Sequence, residues 1–584
     1  MGSISRPAGD ATPATRRNFL LWRLAAALLL SSWAAGCASL PSNPPERARS
    51  QSFATPEQTP LGRLAQARRA QADARSETGF FLLDSVDAAF SSRVALIESA
   101  TRTLDLQYYA IHADASTEIL LQRIREAARR GVRVRILLDD FNSVGDDAQV
   151  LRLGFEQGVE IRLFNPLPGS RGSLLTRVLG SLNDVSSMQK RMHNKLFIAD
   201  NAWGIAGGRN LGDAYFGGDG KSSFVDLDVL ATGQLVRQMS ASFDRFWNDE
   251  LAYPMQALLT PKDLEKLRGA ETPQPAGPAK DSGPAPPPRA PAPLAGAPPS
   301  VTTGADKVLP DVGAAAVAQA QRPALDLGRL PLTWAPSALM VDRPEKIAPG
   351  EDEAGAGETV VDGLLSLIGQ AREEVLVISP YFVPGARMMA VFEQAIARGV
   401  RLRVLTNSLA SNDAPAAHAG YARYRPQLLK MGVQLYEMRA DPQSAADPGI
   451  SNGSSSKKAS GLSLGSATGG SKSGSSRASL HSKAVIIDRR IAVIGSMNLD
   501  LRSTLQNSEV ALIVRSAALS REAARLIEGT LAAGAYRIEL DGERLHWRAP
   551  PGAPFGDAAS EPEASFKLRL LVKLLSPFAP DEML

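Results

Sequence analysis

From Gly79 onward the apolar positions alternate between two kinds of pattern. Residues 87–101 carry apolar side chains at helical spacing. Residues 104–109 read as a strand, 117–130 as a helix, 132–138 as a strand, 148–157 as a helix and 159–164 as a strand. That alternation predicts βαβ units and a mainly parallel sheet. The pattern then recurs in the second half of the chain. GVRVRILLDD (131–140) is echoed by GVRLRVLTNS (399–408), GVEIRLFNP (158–166) by GVQLYEMRA (432–440), and LDLQYYAI (104–111) by VLVISPYF (375–382). The offsets of 268, 274 and 271 residues agree closely enough to predict an internal duplication.

The stretches that break the pattern mark boundaries. Residues 1–36 read as an export leader: Arg6, Arg16, Arg17 and Arg23 precede the short apolar run LAAALLLSSWAA (24–35), and Ala35-Gly36-Cys37 resembles a lipoprotein processing site. Ala34 stands where such sites usually carry Leu. Cys37 is the chain's single cysteine and the expected lipidation site, with a plain apolar anchor as the alternative. TRRNFL (15–20) fits a twin-arginine signal and an ordinary basic leader equally, so the export route stays open. Residues 37–78 are expected to be a tether, 79–253 the first repeat, 254–330 a Pro/Ala-rich linker, 331–545 the second repeat, and 546–584 a tail. The second repeat holds a low-complexity insert at 443–479. The insert carries Lys457, Lys458, Lys472 and Arg477 with no acid between 451 and 479, which suits either anionic head groups or a solvated loop. FKLRLLVKLLSPF (566–578) in the tail mixes basic and apolar residues like an interfacial helix, with docking on its own domain as the competitor.

Composition narrows the class. At 584 residues, 44% hydrophobic and 22% charged, the chain is an ordinary globular protein with more than one domain's worth of core. A single cysteine permits no intramolecular disulfide. The formal charge of +4 falls to about +1 once the leader's four Arg and one Asp are removed. No basic surface that would track a phosphate backbone is indicated, so nucleic acid is not the expected partner.

Candidate chemistry comes from two copies of HxKxxxxD with a following Gly-Gly or Gly-Ser turn and an Asn. MHNKLFIADNAWGIAGGRN holds His193, Lys195, Asp200 and Asn210; LHSKAVIIDRRIAVIGSMN holds His481, Lys483, Asp488 and Asn498. Every internal spacing matches, and the two copies use two of the chain's five His. Strand alternation puts each His and its Lys on one face. The six residues His193, Lys195, Asp200, His481, Lys483 and Asp488 form the candidate catalytic set. Within it the Asp have opposite parity and fall at a hairpin turn, which favours a structural or supporting role. The glycines allow tight paths that bring Asn210 and Asn498, candidate phosphate ligands, back toward the His/Lys face. Two imidazoles, two ammoniums and two amides in one cleft suit displacement at a phosphodiester. One imidazole attacks phosphorus, the other protonates the leaving alkoxide and later deprotonates the acceptor, and Lys and Asn hold the non-bridging oxygens without a metal. Each His needs an orienting acid. Glu509 and Asp226, on strands after the motifs, are the candidates, with Asp228 a rival for the first half and ordinary edge-strand acids the alternative. Tyr109, His112, Tyr381 and Phe382 fall at the C-terminal ends of expected parallel strands, where they line a substrate pocket or simply pack. His418 is expected on a helix surface and His546 in a late strand or loop.

On these motifs, and on YYAIHAD (108–114), GGRNLGDAYF (207–216), FVDLDVLATG (224–233), SPYFVPG (379–385), HAGYARYR (418–425) and GSMNLDLRS (495–503), the chain resembles the phospholipase D superfamily, and within it bacterial cardiolipin synthases. The resemblance covers about 79 to 545. It implies an α/β fold of two tandem repeats with pseudo-twofold symmetry and one shared active-site cleft, no cofactor or metal, and His193 as nucleophile with His481 as acid. The residues alone leave that order open.

Four functions follow from the pattern. Phosphatidyl transfer between phospholipids, giving cardiolipin, and phospholipase D hydrolysis with water as acceptor share every catalytic residue. A phosphodiester nuclease is disfavoured by the charge and the anchor. A purely lipid-binding envelope protein is disfavoured by two complete motifs. Phospholipids are the expected substrates, and a lipid-anchored, periplasm-facing place in a bacterial envelope the expected location. Ala38 after Cys37, rather than Asp, points to the outer membrane.

Overall fold

The computed structural model describes residues 40, 47–169, 177, 188–217, 224–269, 321–348, 358–440 and 479–576. The leader, Cys37 and most of the 443–479 insert lie outside the described residues, as do 270–320 of the expected linker.

Two nine-stranded sheets carry the same order of strands. In the first, Ala252–Pro254, Val159–Phe164, Arg133–Asp139, Thr103–Tyr108, Leu196–Ala199, Trp203–Gly207, Asp228–Gly233, Thr78–Leu83 and Thr333–Trp334 are neighbours in that order. In the second, Ala535–Asp541, Gln434–Met438, Arg401–Asn407, Glu374–Ile378, Ala484–Ile487, Ile491–Gly495, Val510–Arg515 and Ser337–Val341 follow the same course, and Arg544–Arg548 adds a strand at the start. The recurrence in the sequence is thus a recurrence of structure. Gly131 and Gly399, opening two of the echoed segments, have φ of 93° and 86°. Each sits just past a helix end (Ala115–Arg129 and Gly385–Ala397) in the left-handed conformation that glycine adopts without a Cβ penalty.

The sheets are mixed, which corrects the expectation of mainly parallel ones. Only Thr103–Tyr108, Arg133–Asp139 and Val159–Phe164 run parallel in the first sheet; its other pairings are antiparallel. The cause is local. Asp200 and Asn201 (φ 53° and 52°), and Asp488 and Arg489 (both 50°), are the positive-φ central residues of tight turns closed by Ala202 N–H on the Ala199 carbonyl and Arg490 N–H on the Ile487 carbonyl. Such a turn folds the next strand back on the motif strand. The segment 148–157 also departs from expectation, forming a 3-10 helix over Asp147–Phe155.

Among the described residues, three large apolar cores stack the molecule into alternating layers of helix and sheet, and a small fourth lies under helix Phe566–Leu575. One lies on the outer face of the first sheet and one on the outer face of the second. The third joins the halves: Phe80, Ile198 and Val229 share it with Ile486, Ile494 and Leu512, and with the helices Gln234–Trp247 and Ala517–Gly534. Burying one continuous apolar face between two sheets makes the halves one unit rather than two beads.

Several expected boundaries shift. The described part of the 37–78 tether is docked. Helix Pro60–Gln71 buries Leu61 and Ala65, and the Trp203 indole N–H donates to the Leu61 carbonyl at 3.0 Å. Ser50 and Ser52 donate backbone N–H groups to Asn248 and Asp244. On the linker side, 254–269 carries helix Pro261–Gly269, while Leu327 and Leu330 join the first core. Thr333–Trp334 pairs with the first sheet, not the second. The tail begins inside a strand, since Arg544–Arg548 includes His546 and buries Trp547. His418 is buried, not on a helix surface, with Nε2 3.5 Å from Glu561. No helix among the described residues is long and apolar enough to cross a membrane.

Candidate active site

Each motif enters the site through a short strand that pairs with the opposite half. Arg191–Met192 runs parallel to Asn507–Ser508, and Ser479–Leu480 parallel to Phe224–Val225. The residue after each pair is a motif His on one side and an acid on the other. The backbone N–H of His193 donates to Ser508 O and that of His481 to Val225 O, both at 2.9 Å. His193 Nδ1 therefore meets Glu509 of the second half, 3.0 Å from each carboxylate oxygen. His481 Nδ1 meets Asp226 of the first half at 2.7 Å. With Nδ1–H directed at a carboxylate, the neutral imidazole presents the Nε2 lone pair on its other edge. Both expected acids are in place, exchanged between the halves. Asp228 is engaged elsewhere, 2.9 Å from Arg93 and 3.5 Å from Arg209.

The His and Lys lie in three-residue extended links ahead of the strands Leu196–Ala199 and Ala484–Ile487, rather than inside strands. Lys195 Nζ donates to the His193 carbonyl at 2.8 Å and Lys483 Nζ to that of His481 at 2.5 Å. Glycine permits the close approach behind them. A Cβ on Gly495 would lie 2.1 Å from the Val510 carbonyl oxygen, and one on Gly208 2.4 Å from Asp226 Oδ1.

Burial sets the electrostatics. It pushes His193 down to about 4 against the pull of Glu509, with Lys195 and Lys483 lowering it further. His481 falls to about 3 through burial and Lys483, whose Nζ is 3.1 Å from Nδ1. Desolvation likewise lowers Lys195 to about 7 and Lys483 to about 8. On Asp226 burial acts upward, but His481, Arg209 and Lys483 outweigh it and hold the carboxyl at about 2. Glu509 is also burdened by burial yet held below its usual range by His193 and Lys195. It accepts hydrogen bonds from the Ser496 and Ser503 hydroxyls, the latter at 2.8 Å. Lys483 acts on His193 and Lys195 acts on His481, so the two motifs share one electrostatic field. Neutral imidazoles beside two buried lysines make a site suited to an anion.

The remaining expectations divide. Asn210 is fixed at both ends: its Nδ2 donates to Tyr215 Oη at 3.0 Å and its Oδ1 accepts from Ala110 N at 3.3 Å. Asn498 is buried with Oδ1 unpartnered among the described residues. Tyr109 stands edge-on to His193, centroids 5.1 Å apart. Tyr381 donates to Asp413 at 2.6 Å. Phe382 belongs to the outer core against Phe392 and Tyr421, which corrects its placement in a pocket. His112 lies half-buried with Nδ1 3.2 Å from Asp147 and makes no described contact with the motifs.

Asp200 and Asp488 lie apart from the other four residues of the candidate catalytic set. The strands Leu196–Ala199 and Ala484–Ile487 separate them from the His and Lys. Asp200 accepts backbone N–H groups of Thr101, Arg102 and Thr103 at 3.0, 2.7 and 2.9 Å; Asp488 accepts those of Arg372, Glu373 and Glu374 at 3.0, 2.8 and 3.0 Å. Each pins its hairpin to the start of a neighbouring strand.

Sequence reasoning missed Tyr215 and Phe224, whose rings lie 5.1 and 5.0 Å from His481, and the Ser496 and Ser503 hydroxyls on Glu509. A signal existed for two of them. Five residues past each motif Asn stand Tyr215 and Ser503, equivalent positions in the duplication. A cleft of about 380 Å³ between helix Pro60–Gln71 and Trp334 includes no motif His or Lys, and its Arg69 and Arg237 face Glu77 and Glu57.

Two α/β halves contributing duplicated His and Lys to one site define a phospholipase D-like protein. The chain matches the family model described as "Cardiolipin synthase, PLD-like domain" over residues 94–247 and 364–530. Cardiolipin synthase C of Escherichia coli (strain K12) is 34% identical over 504 residues, covering 86% of this chain and 95% of that protein. An uncharacterized protein of Helicobacter pylori is 29% identical over 522 residues, 88% of this chain and 91% of its own length. The crystal structure of phosphatidylserine synthase from Haemophilus influenzae Rd KW20 shares the fold, with a TM-score of 0.51 over 89% of this chain and 99% of that one at 13% identity. The chain belongs to the cardiolipin synthase family of phospholipase D-like proteins.

Proposed function

We propose that the protein is a phosphatidyltransferase that makes cardiolipin from phospholipids through a phospho-histidine. The carrying observation is the exchanged pairing: each imidazole is oriented by the other half's carboxylate, and both Nε2 edges are left for chemistry beside two lysines. An entering phosphodiester adds negative charge beside both imidazoles and raises their proton affinity. His193 Nε2 attacks phosphorus and the bond to the leaving glycerol oxygen breaks. That oxygen takes a proton from His481 Nε2. The phosphatidyl group is then held through a P–N bond. A hydroxyl on the head group of a second phospholipid gives its proton to His481, its oxygen attacks phosphorus, and the electron pair of the P–N bond returns to His193. Lys195 and Lys483 neutralise the non-bridging oxygens. The family resemblance of the first motif supports giving the attack to His193. Asn210 and Asn498 are proposed to direct amide groups at the same oxygens.

Purified protein given labelled phosphatidylglycerol, with and without phosphatidylethanolamine, should yield labelled cardiolipin. Phosphatidic acid as the sole product contradicts transfer and supports hydrolysis, and DNA cleavage lost together with lipid turnover in His193→Ala supports a nuclease. Turnover should persist in excess chelator.

We further propose that lipidated Cys37 holds the protein in a bacterial envelope, facing the periplasm and on the outer membrane. Ala35-Gly36-Cys37 after a short apolar run supports this. Incorporation of labelled fatty acid that Cys37→Ser does not abolish contradicts it.

A further inference from the structure

Only four large hydrophobic side chains are exposed among the described residues, and three of them lie on the ten-residue C-terminal helix Phe566–Leu575. Phe566, Leu570 and Leu574 are 77, 45 and 60% exposed; the fourth, Phe155, stands alone in the first half. Spacing of four places the three on one side of the helix. Leu568 and Val572, on the other side, pack with Leu409, Ala410 and Ala419. Docking on its own domain and an outward apolar stripe are therefore both present, on opposite faces.

Charge indicates what covers the stripe. The helix carries Lys567, Arg569 and Lys573 and no acid. The acids just ahead of it are turned inward: Glu561 onto Arg425, and Glu563 onto Arg439 at 2.6 Å and onto the Ala440 N–H at 2.8 Å. Arg569 is held by the Ala564 carbonyl and the Ser560 hydroxyl, while Lys567 and Lys573 have no acidic partner among the described residues. An apolar ridge flanked by two such lysines fits an anionic bilayer surface, with the ridge at the acyl boundary and the ammoniums at the phosphates. The helix also sits close to the site. Leu409 and Ala410, on which it packs, follow the strand that ends at Asn407. The Asn407 side chain donates to Leu480 O and accepts from Leu480 N, both at 2.9 Å, one residue before His481.

We propose that the helix Phe566–Leu575 docks on anionic phospholipid bilayers and holds the His481 side of the cleft against the lipid surface. The phosphatidyl-transfer reading is needed only to explain why docking is useful, since the binding is measured without turnover. In full-length Cys37→Ser protein, an environment-sensitive dye on Leu570→Cys should shift to the blue with vesicles of phosphatidylglycerol and phosphatidylethanolamine. The same dye on Phe155→Cys should not shift. Adding Phe566→Ser and Leu574→Ser should raise the half-saturating lipid concentration about tenfold or more. On the unlabelled chain the same two changes should lower turnover on vesicles while sparing turnover on detergent-dispersed phosphatidylglycerol. No shift at residue 570 overturns the proposal. So does a shift that grows with protein concentration in the absence of lipid, which would assign the stripe to a second copy of the chain.

Discussion

The two halves of the site follow the same chain path and differ in what surrounds each imidazole. His193 faces a glutamate shared with two serine hydroxyls and has Tyr109 edge-on to its ring. His481 faces an aspartate in a single shorter contact and packs against both Tyr215 and Phe224, which also touch each other, with Lys483 close to its Nδ1. One motif Asn is bonded at both ends, while the other leaves its Oδ1 unpartnered among the described residues. Duplication places two equal groups in a cleft, and the side chains just behind them make the groups unequal. The proposed double displacement can use that inequality, because one imidazole gives its lone pair to phosphorus while the other keeps a proton in circulation.

The sharpest way to break the comparison is to treat the halves as independent. His193→Ala and His481→Ala should each lower turnover about 10⁴-fold or more, with the double variant little worse than either single, since groups acting as one unit do not add. Two separate sites would leave each single variant roughly half its activity. Next come the acids. Glu509→Gln and Asp226→Asn should each lose about 10²- to 10⁴-fold, with geometry intact and orientation lost. In double-mutant cycles on stability, His193 should couple with Glu509 and much less with Asp226, and His481 the reverse. Coupling within each half would contradict the exchange.

Much of this was legible in the sequence. The echoed GVR and GVE/GVQ segments gave the repeat, and matched spacing singled out His, Lys and Asn before any fold was known. The exchange of acids was not legible, because it depends on two-residue strands pairing across the halves, and two residues carry no periodicity. The sheets were misread as mainly parallel for a related reason: an apolar run has no direction, and the reversal at Asp200–Asn201 lies in backbone dihedrals. The docked 47–77 segment escaped notice because much of it is held by hydrogen bonds to its backbone rather than by an apolar stripe. Parity did read the Asp correctly as turn residues, and their three backbone hydrogen bonds supply the reason.

Two smaller effects sharpen the contrast between working face and support. Asp200→Ala or Asp488→Ala orphans three backbone N–H groups and should cost about 3 kcal/mol of stability, seen as a lower Tm. Turnover of the protein that remains folded should change little; a large kcat loss at unchanged Tm would return the Asp to the catalytic set. The free enzyme needs its lysines charged, and burial has lowered Lys195 to about 7 and Lys483 to about 8. As pH rises through that window the ammoniums lose their protons, so kcat/KM should fall about tenfold or more between about pH 7 and 9. A flat profile to pH 10 would show that the lysines keep their usual affinity for the proton.

The most direct test is to quench the full-length protein during turnover of phosphatidylglycerol labelled at phosphorus, and to map the adduct by mass spectrometry after digestion under alkaline conditions. One shared site with unequal imidazoles predicts at most one phosphatidyl group per chain, on His193, and none on His481. Adducts on both histidines, on His481 alone, or on neither would contradict it.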